Sequence, residues 1–347
     1  MSSAAAAHTP SFAALRHPGF RRFLLFNTLT MLADNVEHVI SYWVVFQKFQ
    51  SPALGGFAVI SHWLPYLTMS VWVGALTDRF DPRRMIQIGM ALFAAVSVAW
   101  GLLFAFDVLQ VWHAVVLLIL HGVAGVFWTT PSQVLLHDVV GPTLLPSAVR
   151  LNATGRYIGM LVGPALGSAL LLGFGAELGI IINALIYLPG IIWLWHAPYG
   201  PRFRAAVAAA PARAVRGIKD IVQTMRDIAG DRTLVSMTLL AAGAALLVGN
   251  AYQAQMPGFA QALGHGNAGI AYSALLAADA AGALLAGLLL ELRGWLQPQP
   301  RRALILAGLW ALAITAFALA PGYGFALAAL FCVGFLELSF HLRESIL

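Results

Sequence analysis

Ten apolar runs of about 20 residues divide this sequence, and each is long enough to cross the hydrocarbon core of a bilayer, about 30 Å thick, as an α-helix. Apolar residues make up 60% of the chain and charged residues only 10%, whereas about a quarter of a soluble domain is charged. The short alternating segments of membrane strands are absent. The sequence therefore predicts an all-α integral membrane protein. The runs lie near 22–46, 54–76, 85–106, 109–130, 148–173, 176–196, 234–256, 268–291, 303–320 and 325–342.

The distribution of basic residues predicts the orientation of these spans. If all ten cross the membrane, alternate loops share one face, and all but two of the 20 Lys and Arg residues belong to one set of loops and the tails. The exceptions are Lys48, in the other set, and Arg156, inside a span. The positive-inside rule then places both termini in the cytoplasm, in a bacterial-type inner membrane. This asymmetry explains the net charge of +6, so we expect lipid rather than nucleic acid to be the basic surface's partner.

The spans group into two predicted bundles. A tail over 1–21 precedes six spans over 22–196, a polar basic linker covers 197–233, and four spans follow over 234–347. Within the linker, residues 219–232 are compatible with an amphipathic surface helix or with a solvated tether. The segment from Gly74 to Arg84 resembles Gly287, Glu291 and Arg301-Arg302 after the eighth span. This similarity predicts a duplicated six-helix unit whose second copy lacks its last two helices.

Three ionisable residues lie near the middle of the first span. Asp34, Glu37 and His38 are spaced i, i+3 and i+4, which places them on one helix face. A charge at that depth costs a few kcal/mol unless it is paired or hydrated, about 2.5–3.5 kcal/mol on insertion scales. The stripe indicates either a water-filled cavity or a static buried hydrogen-bond network. A carboxylate beside a histidine suits proton coupling, and Asp34 is the predicted proton carrier.

Other membrane-depth polar residues extend this prediction. Arg156 and Asn152 share a face of the fifth span, and Arg156 could pair with Asp34 or Glu37, hold an anionic substrate group, or snorkel to the interface. Asp279 and Glu337 are further candidates in the second bundle. No metal site is predicted, because no group of ligands has consistent spacing, and His62, His113 and His341 are assigned to interfaces or aromatic packing. No cofactor is expected, and the absence of nucleotide and hydrolase motifs argues against an enzyme.

The loop after the second span carries a specific pattern. Gly74-Ala-Leu-Thr-Asp78-Arg79-Phe-Asp81-Pro-Arg83-Arg84 reads as Gly, three residues, Asp, Arg and then a basic pair. With this loop the chain resembles the major facilitator superfamily. The resemblance implies two helical bundles that alternate access to a central site, with Asp78 latching against the start of an eleventh helix. Asp81 stands where many members have glycine.

A second motif lies in the fifth span. Gly159, Gly163, Pro164 and Gly167 look like the antiporter motif of proton-coupled exporters, and they also form a groove that another helix can approach. The surrounding stretch is similar to the enterobactin and macrolide exporter branch. Many relatives carry an arginine linked to proton coupling in the fourth helix, and His121 is the nearest equivalent here.

These features predict a monomeric secondary transporter that exports a small amphipathic molecule, of siderophore or drug type, while protons enter. The alternative is a truncated membrane protein without transport activity, since superfamily members have twelve helices and ten are predicted here.

Overall fold

The computed structural model describes residues 12–203, 251–264, 267–293 and 300–344, with a few single positions between 230 and 239. Every regular element within these residues is helical, which confirms the predicted all-α class. The tail to residue 11, most of the linker over 197–233, including 219–232, and most of the seventh predicted span lie outside the described residues. The start of the linker is described and forms a short 3₁₀ turn at Pro201–Phe203.

Three separate helices open the fold, each with proline in its first turn. They are α1 (Pro18–Phe49), α2 (Pro52–Arg79) and α3 (Pro82–Ala105). A polar side chain caps each start: His17, Ser51 and Asp81 accept a hydrogen bond from a backbone N–H of the first turn. Proline fits there because its missing N–H would have no helical partner.

The next three helices form one long segment, Val111–His196, with two breaks. Gly141 and Gly175 adopt φ values of 68° and 77°, a left-handed conformation that glycine enters without steric cost. They divide the segment into α4 (111–140), α5 (142–174) and α6 (176–196). The stretch 131–147 lies between the fourth and fifth predicted spans, and apart from Gly141 it continues α4 and begins α5.

Four helices follow among the residues described from 251 onward. They are α7 (Ala251–Leu263), α8 (Ala268–Arg293), α9 (Pro300–Ala318) and α10 (Tyr323–Glu344). The described end of α7 passes the predicted end of its span at 256. Predicted spans eight to ten each coincide with one helix to within a few residues.

Among the described residues, six helices pack together in a first group and α7–α10 make up a second, in which α7 packs on α8 and also on α1 and α2. In the first group, α1, α2 and α3 pack against the segment α4–α6, and in the second α10 packs against α8 and α9. The two groups meet near the turn between α1 and α2. There the Tyr272 hydroxyl donates to the Val39 carbonyl at 3.2 Å, and the Tyr272 ring stacks on Trp43. Gln255 also donates to the Pro52 carbonyl, at 3.1 Å.

Length and composition make the fold suited to a bilayer. Five helical segments within the described residues are long and apolar enough to cross a membrane, and one of them, Val111–Phe203, contains α4, α5 and α6. Helix α1 is not among the five because polar residues in its middle lower its hydropathy. That helix is sheltered instead by its neighbours, and its residues 33–41 are all buried.

The glycines of the fifth predicted span pack on α1. A Cβ added at Gly159 would approach Met31, one at Gly163 would approach Asn35, and one at Gly167 would approach Val39. Small residues at this spacing allow two helix backbones to come close together. The stripe thus holds α1, with its ionisable residues, against α5.

We expect Gly163→Ala to destabilise the first group of helices. The new methyl group would lie 2.5 Å from Asn35 Cβ and 2.9 Å from the Leu32 carbonyl oxygen, and overpacking of this kind costs about 1–3 kcal/mol. Thermal unfolding of the purified protein in detergent measures the effect. Gly173→Ala is the matched control, because no atom lies within 4 Å of its added Cβ. Equal unfolding temperatures for the two variants would contradict the packing role.

Candidate functional site

Two buried carboxylates flank one histidine at the centre of the first helix group. His121 on α4 places Nε2 2.8 Å from Asp34 Oδ1 and Nδ1 2.7 Å from Glu37 Oε1. All three residues are buried: His121 is 2% exposed, Asp34 6% and Glu37 2%. Because Asp34 and Glu37 are three residues apart on α1, one imidazole can reach both. The three side chains form a continuous array of ionisable groups in an apolar interior.

Glu37 is also fixed from the side opposite His121. The Ser97 hydroxyl on α3 donates to Glu37 Oε2 at 2.5 Å. The Asn183 amide on α6 donates to the Ala33 carbonyl at 2.9 Å and to the Ser97 hydroxyl at 3.4 Å. Four helices therefore contribute to the setting of this one carboxylate.

Two further histidines adjoin the array. The ring centroids of His38 and His121 are 4.8 Å apart, and those of His62 and His121 are 5.6 Å apart. His38 also stacks on Tyr42. Four possible ligand atoms lie within 4.8 Å of one another here, one each from Asp34, His38, His62 and His121. We call these four residues the histidine cluster.

The predicted residues of the fifth span contact α1 and α4. Asn152 accepts a hydrogen bond from the Asn27 amide at 2.7 Å, which joins α5 to α1. The Arg156 guanidinium lies over the Trp128 ring at 5.7 Å. Of the alternatives for Arg156, an ion pair with Asp34 or Glu37 is not formed in the described structure, since His121 pairs with both.

The loop motif after α2 ties two helix ends together. Arg83 Nη2 lies 2.6 Å from Asp81 Oδ2, and Arg83 Nη1 donates to the Ala197 carbonyl at the end of α6. Arg84 lies over the Trp195 ring at 4.3 Å. Partial burial opposes ionisation of Asp81, but the hydrogen bonds and charge of Arg83 outweigh it and hold the pKa of Asp81 below its usual value. Asp81, noted in the sequence as a departure from the pattern, is thus a cap and an ion-pair partner.

The other motif residues are less enclosed. Asp78 and Arg79 are exposed, and no ion pair of Asp78 lies within the described part of the chain. Gly74 faces α4, where an added Cβ would meet the Thr130 methyl group at 4.0 Å. The implied latch of Asp78 on an eleventh helix stays a prediction.

A second polar centre lies in the four-helix group. The Tyr252 hydroxyl on α7 donates to Glu337 Oε2 at 2.7 Å and lies 3.3 Å from Asp279 Oδ2. Both acidic candidates that the sequence identified in this half therefore meet at one tyrosine. Tyr252 itself carried no signal in the sequence, because a tyrosine in an apolar helix is common.

Sequence reasoning missed several residues of the first centre. His62 does pack against aromatic side chains, Trp63 and Tyr66, as expected, but it also contacts His38 and His121. Ser97 and Asn183 went unremarked. Their only signal is that each is a lone hydrogen-bonding residue within an apolar run, which does not reveal its partner.

Comparison with known proteins places most of the chain in one family. Residues 23–340 match the Major Facilitator Superfamily, so the chain belongs to this family of integral membrane transporters, which are not enzymes. It is 26% identical over 227 residues to the uncharacterized MFS-type transporter y4rN of Sinorhizobium fredii, covering 64% of this chain and 55% of that protein. It is 22% identical over 171 residues to the Staphyloferrin A transporter of Staphylococcus aureus, covering 49% and 42%.

Further relatives support the same assignment. The multidrug resistance protein MdtH of Salmonella typhi is 23% identical over 227 residues, covering 63% of this chain and 54% of that protein. The chain spans about half the length of the curated relatives it matches. Among solved structures, an inward-facing bacterial homolog of the human lysosomal transporter Spinster has a TM-score of 0.66 at 18% identity, with 96% of this chain and 75% of that chain covered. A D-xylose-proton symporter gives a TM-score of 0.57 at 18% identity, with coverages of 92% and 80%. These likenesses establish the superfamily fold.

We expect Ser97→Ala to lower stability, because it removes the hydroxyl that donates to buried Glu37. Leaving a buried acceptor without its partner costs about 1–3 kcal/mol, and thermal unfolding in detergent measures this loss. Ser132→Ala is the matched control. Ser132 is also buried, but its hydroxyl donates to the Trp128 carbonyl of its own helix, so its loss leaves that carbonyl bonded within the helix. A loss at Ser132 as large as at Ser97 would contradict the supporting role of Ser97.

Proposed function

We propose that this protein is a secondary active transporter that moves a small amphipathic molecule outward while protons move inward. The observation that carries the proposal is the buried array of Asp34, His121 and Glu37 in the first helix group. The two helix groups would rock about a central site to expose it to each side in turn.

Charge balance supports a coupling cation at this array. The array holds two carboxylates for one imidazole, so its acidic groups outnumber the basic group that pairs with them, and an uncompensated charge away from water is costly. Binding a cation relieves that cost, and a proton is the cation that a carboxylate can bind directly. Asp34 is the proposed proton acceptor, because Glu37 also accepts a hydrogen bond from the Ser97 hydroxyl.

Residues around the array suit contacts with the substrate. Arg156 is only partly buried and is held by a cation–π contact rather than by a carboxylate, so its guanidinium can meet an anionic group. Asn152 and His38 are the proposed polar neighbours in the same region. Trp63 and Tyr66 are partly exposed and can stack against an amphipathic molecule.

Direction and substrate type follow from the motifs and the relatives. The Gly159, Gly163, Pro164 and Gly167 stripe resembles the antiporter motif, which favours export. Two relatives are named as a Staphyloferrin A transporter and a multidrug resistance protein, and they favour a substrate of siderophore or drug type. The distribution of Lys and Arg favours an inner-membrane protein with both termini in the cytoplasm, and we propose that it acts as a monomer.

We expect Asp34→Asn to abolish proton-dependent transport, because the amide cannot bind and release a proton. Cells that overproduce the protein should lose an added siderophore or drug faster than empty cells, and the variant should reduce that rate to the level of empty cells. Asp107→Asn is the matched control. Asp107 pairs with Lys48 at the surface, where its side chain is 91% exposed, so export should continue.

Two results would contradict the proposal. One is equal retention of every compound in a broad panel with and without the wild-type protein, which would favour a membrane protein without transport activity. The other is undiminished proton-dependent export by Asp34→Asn. Membrane abundance of each variant, measured by immunoblot, separates a loss of transport from a loss of protein.

A further inference from the structure

We infer that the histidine cluster of Asp34, His38, His62 and His121 is a binding site for a divalent first-row transition-metal ion such as Zn²⁺. These residues come from three helices, α1, α2 and α4. The inference concerns the same region as the proposed function and names a second cation for it, but metal binding itself does not depend on transport.

The cluster has the dimensions of a site that can close on a small cation. Its four ligand atoms lie within 4.8 Å of one another. In a tetrahedral zinc site with bonds of about 2.0–2.2 Å, neighbouring ligand atoms are about 3.3–3.5 Å apart. The separations between the ligand atoms therefore need to shrink by about 1.5 Å at most for all four atoms to bind one ion. Asp34 and His38 are four residues apart on α1, so they act as a chelating pair on a single helix face.

Buried polar atoms face the cluster. Asp34 Oδ1 and His121 Nε2 form an ion pair at 2.8 Å, and both atoms are shielded from solvent. His62 Nδ1 is also buried, and it has no hydrogen-bond partner. A metal ion that replaces the proton between Asp34 and His121 would bind both atoms and would also give His62 Nδ1 a partner.

Glu37 prepares His121 for metal binding. His121 Nδ1 lies 2.7 Å from Glu37 Oε1, so Nδ1 can keep its proton on that carboxylate while Nε2 binds a metal ion. A histidine that binds a metal through one nitrogen usually donates its other N–H to a carboxylate in this way. Ser97 in turn fixes Glu37. Glu37, itself bonded to Ser97, thus supports the cluster ligand His121 without being one of the four ligands.

The donor set indicates which ions fit. Three imidazoles and one carboxylate, with no thiolate, suit zinc, cobalt and nickel. Magnesium and calcium prefer sites made of oxygen atoms alone. The single carboxylate neutralises one of the two positive charges, and Glu37 lies close enough to offset the other.

The test uses the full-length protein, purified in detergent with an affinity tag that contains no histidine and treated with a chelator. Titration with Zn²⁺ in a calorimeter should show a single high-affinity ion per chain, and Co²⁺ should give the visible absorption bands of a tetrahedral site. His62→Gln should weaken Zn²⁺ binding by about 10-fold or more, the scale of loss seen when even a supporting partner is removed. Zn²⁺ should raise the unfolding temperature of the wild type and not of this variant.

His113→Gln is the matched control. His113 lies at the start of α4, where its ring accepts a hydrogen bond from the Gln110 N–H, and it is outside the cluster. The control should bind Zn²⁺ as the wild type does. Absence of high-affinity Zn²⁺ binding, or binding unaffected by His62→Gln and His38→Gln, would overturn the inference.

Two readouts keep this inference separate from the proposed function. Because His62 is not part of the Asp34–His121–Glu37 array, His62→Gln should keep proton-dependent export while it loses the metal. A protein that binds Zn²⁺ but exports nothing would refute the transport proposal alone. A protein that exports but does not bind Zn²⁺ would refute the metal site alone.

Discussion

The pairing of His121 with two carboxylates is the interaction on which this structure depends most. Asp34 and Glu37 would each be costly at the centre of an apolar bundle if they had no partner. One imidazole reaches both because the carboxylates share a face of α1. Ser97 and Asn183 extend the arrangement to α3 and α6. The polar centre therefore fixes how four helices of the first group face one another.

The close approach of α5 to α1 also helps to position that centre. The glycines at 155, 159, 163 and 167 leave room for side chains of α1, and this contact sets the rotation of α1 about its axis. Because rotation decides which side chains point inward, it also decides that Asp34 and Glu37 meet α4 rather than lipid. A packing feature and a functional feature of the sequence thus depend on each other.

Much of the architecture was predictable from the chain alone. Long apolar runs gave the helical class and most helix positions, and the loop from Gly74 to Arg84 indicated the superfamily that the comparisons confirm. The stretch 131–147 fell between the fourth and fifth predicted spans, and the apolar runs did not reveal that it is helical on both sides of Gly141. In the structure, Pro142 begins α5 directly after Gly141, while Pro131 lies inside α4. Neither proline ends a helix, and the break between α4 and α5 is the single residue Gly141.

The sequence by itself determined the class of the protein, the position of ionisable residues near the middle of α1 and the i, i+3, i+4 grouping of Asp34, Glu37 and His38, because helical periodicity acts over a few residues. Only the tertiary structure decided what those residues meet. His121 comes from α4, 84 positions beyond Glu37. His62 comes from α2. Their meeting depends on how the helices are rotated and packed, and no local spacing in the sequence records that geometry.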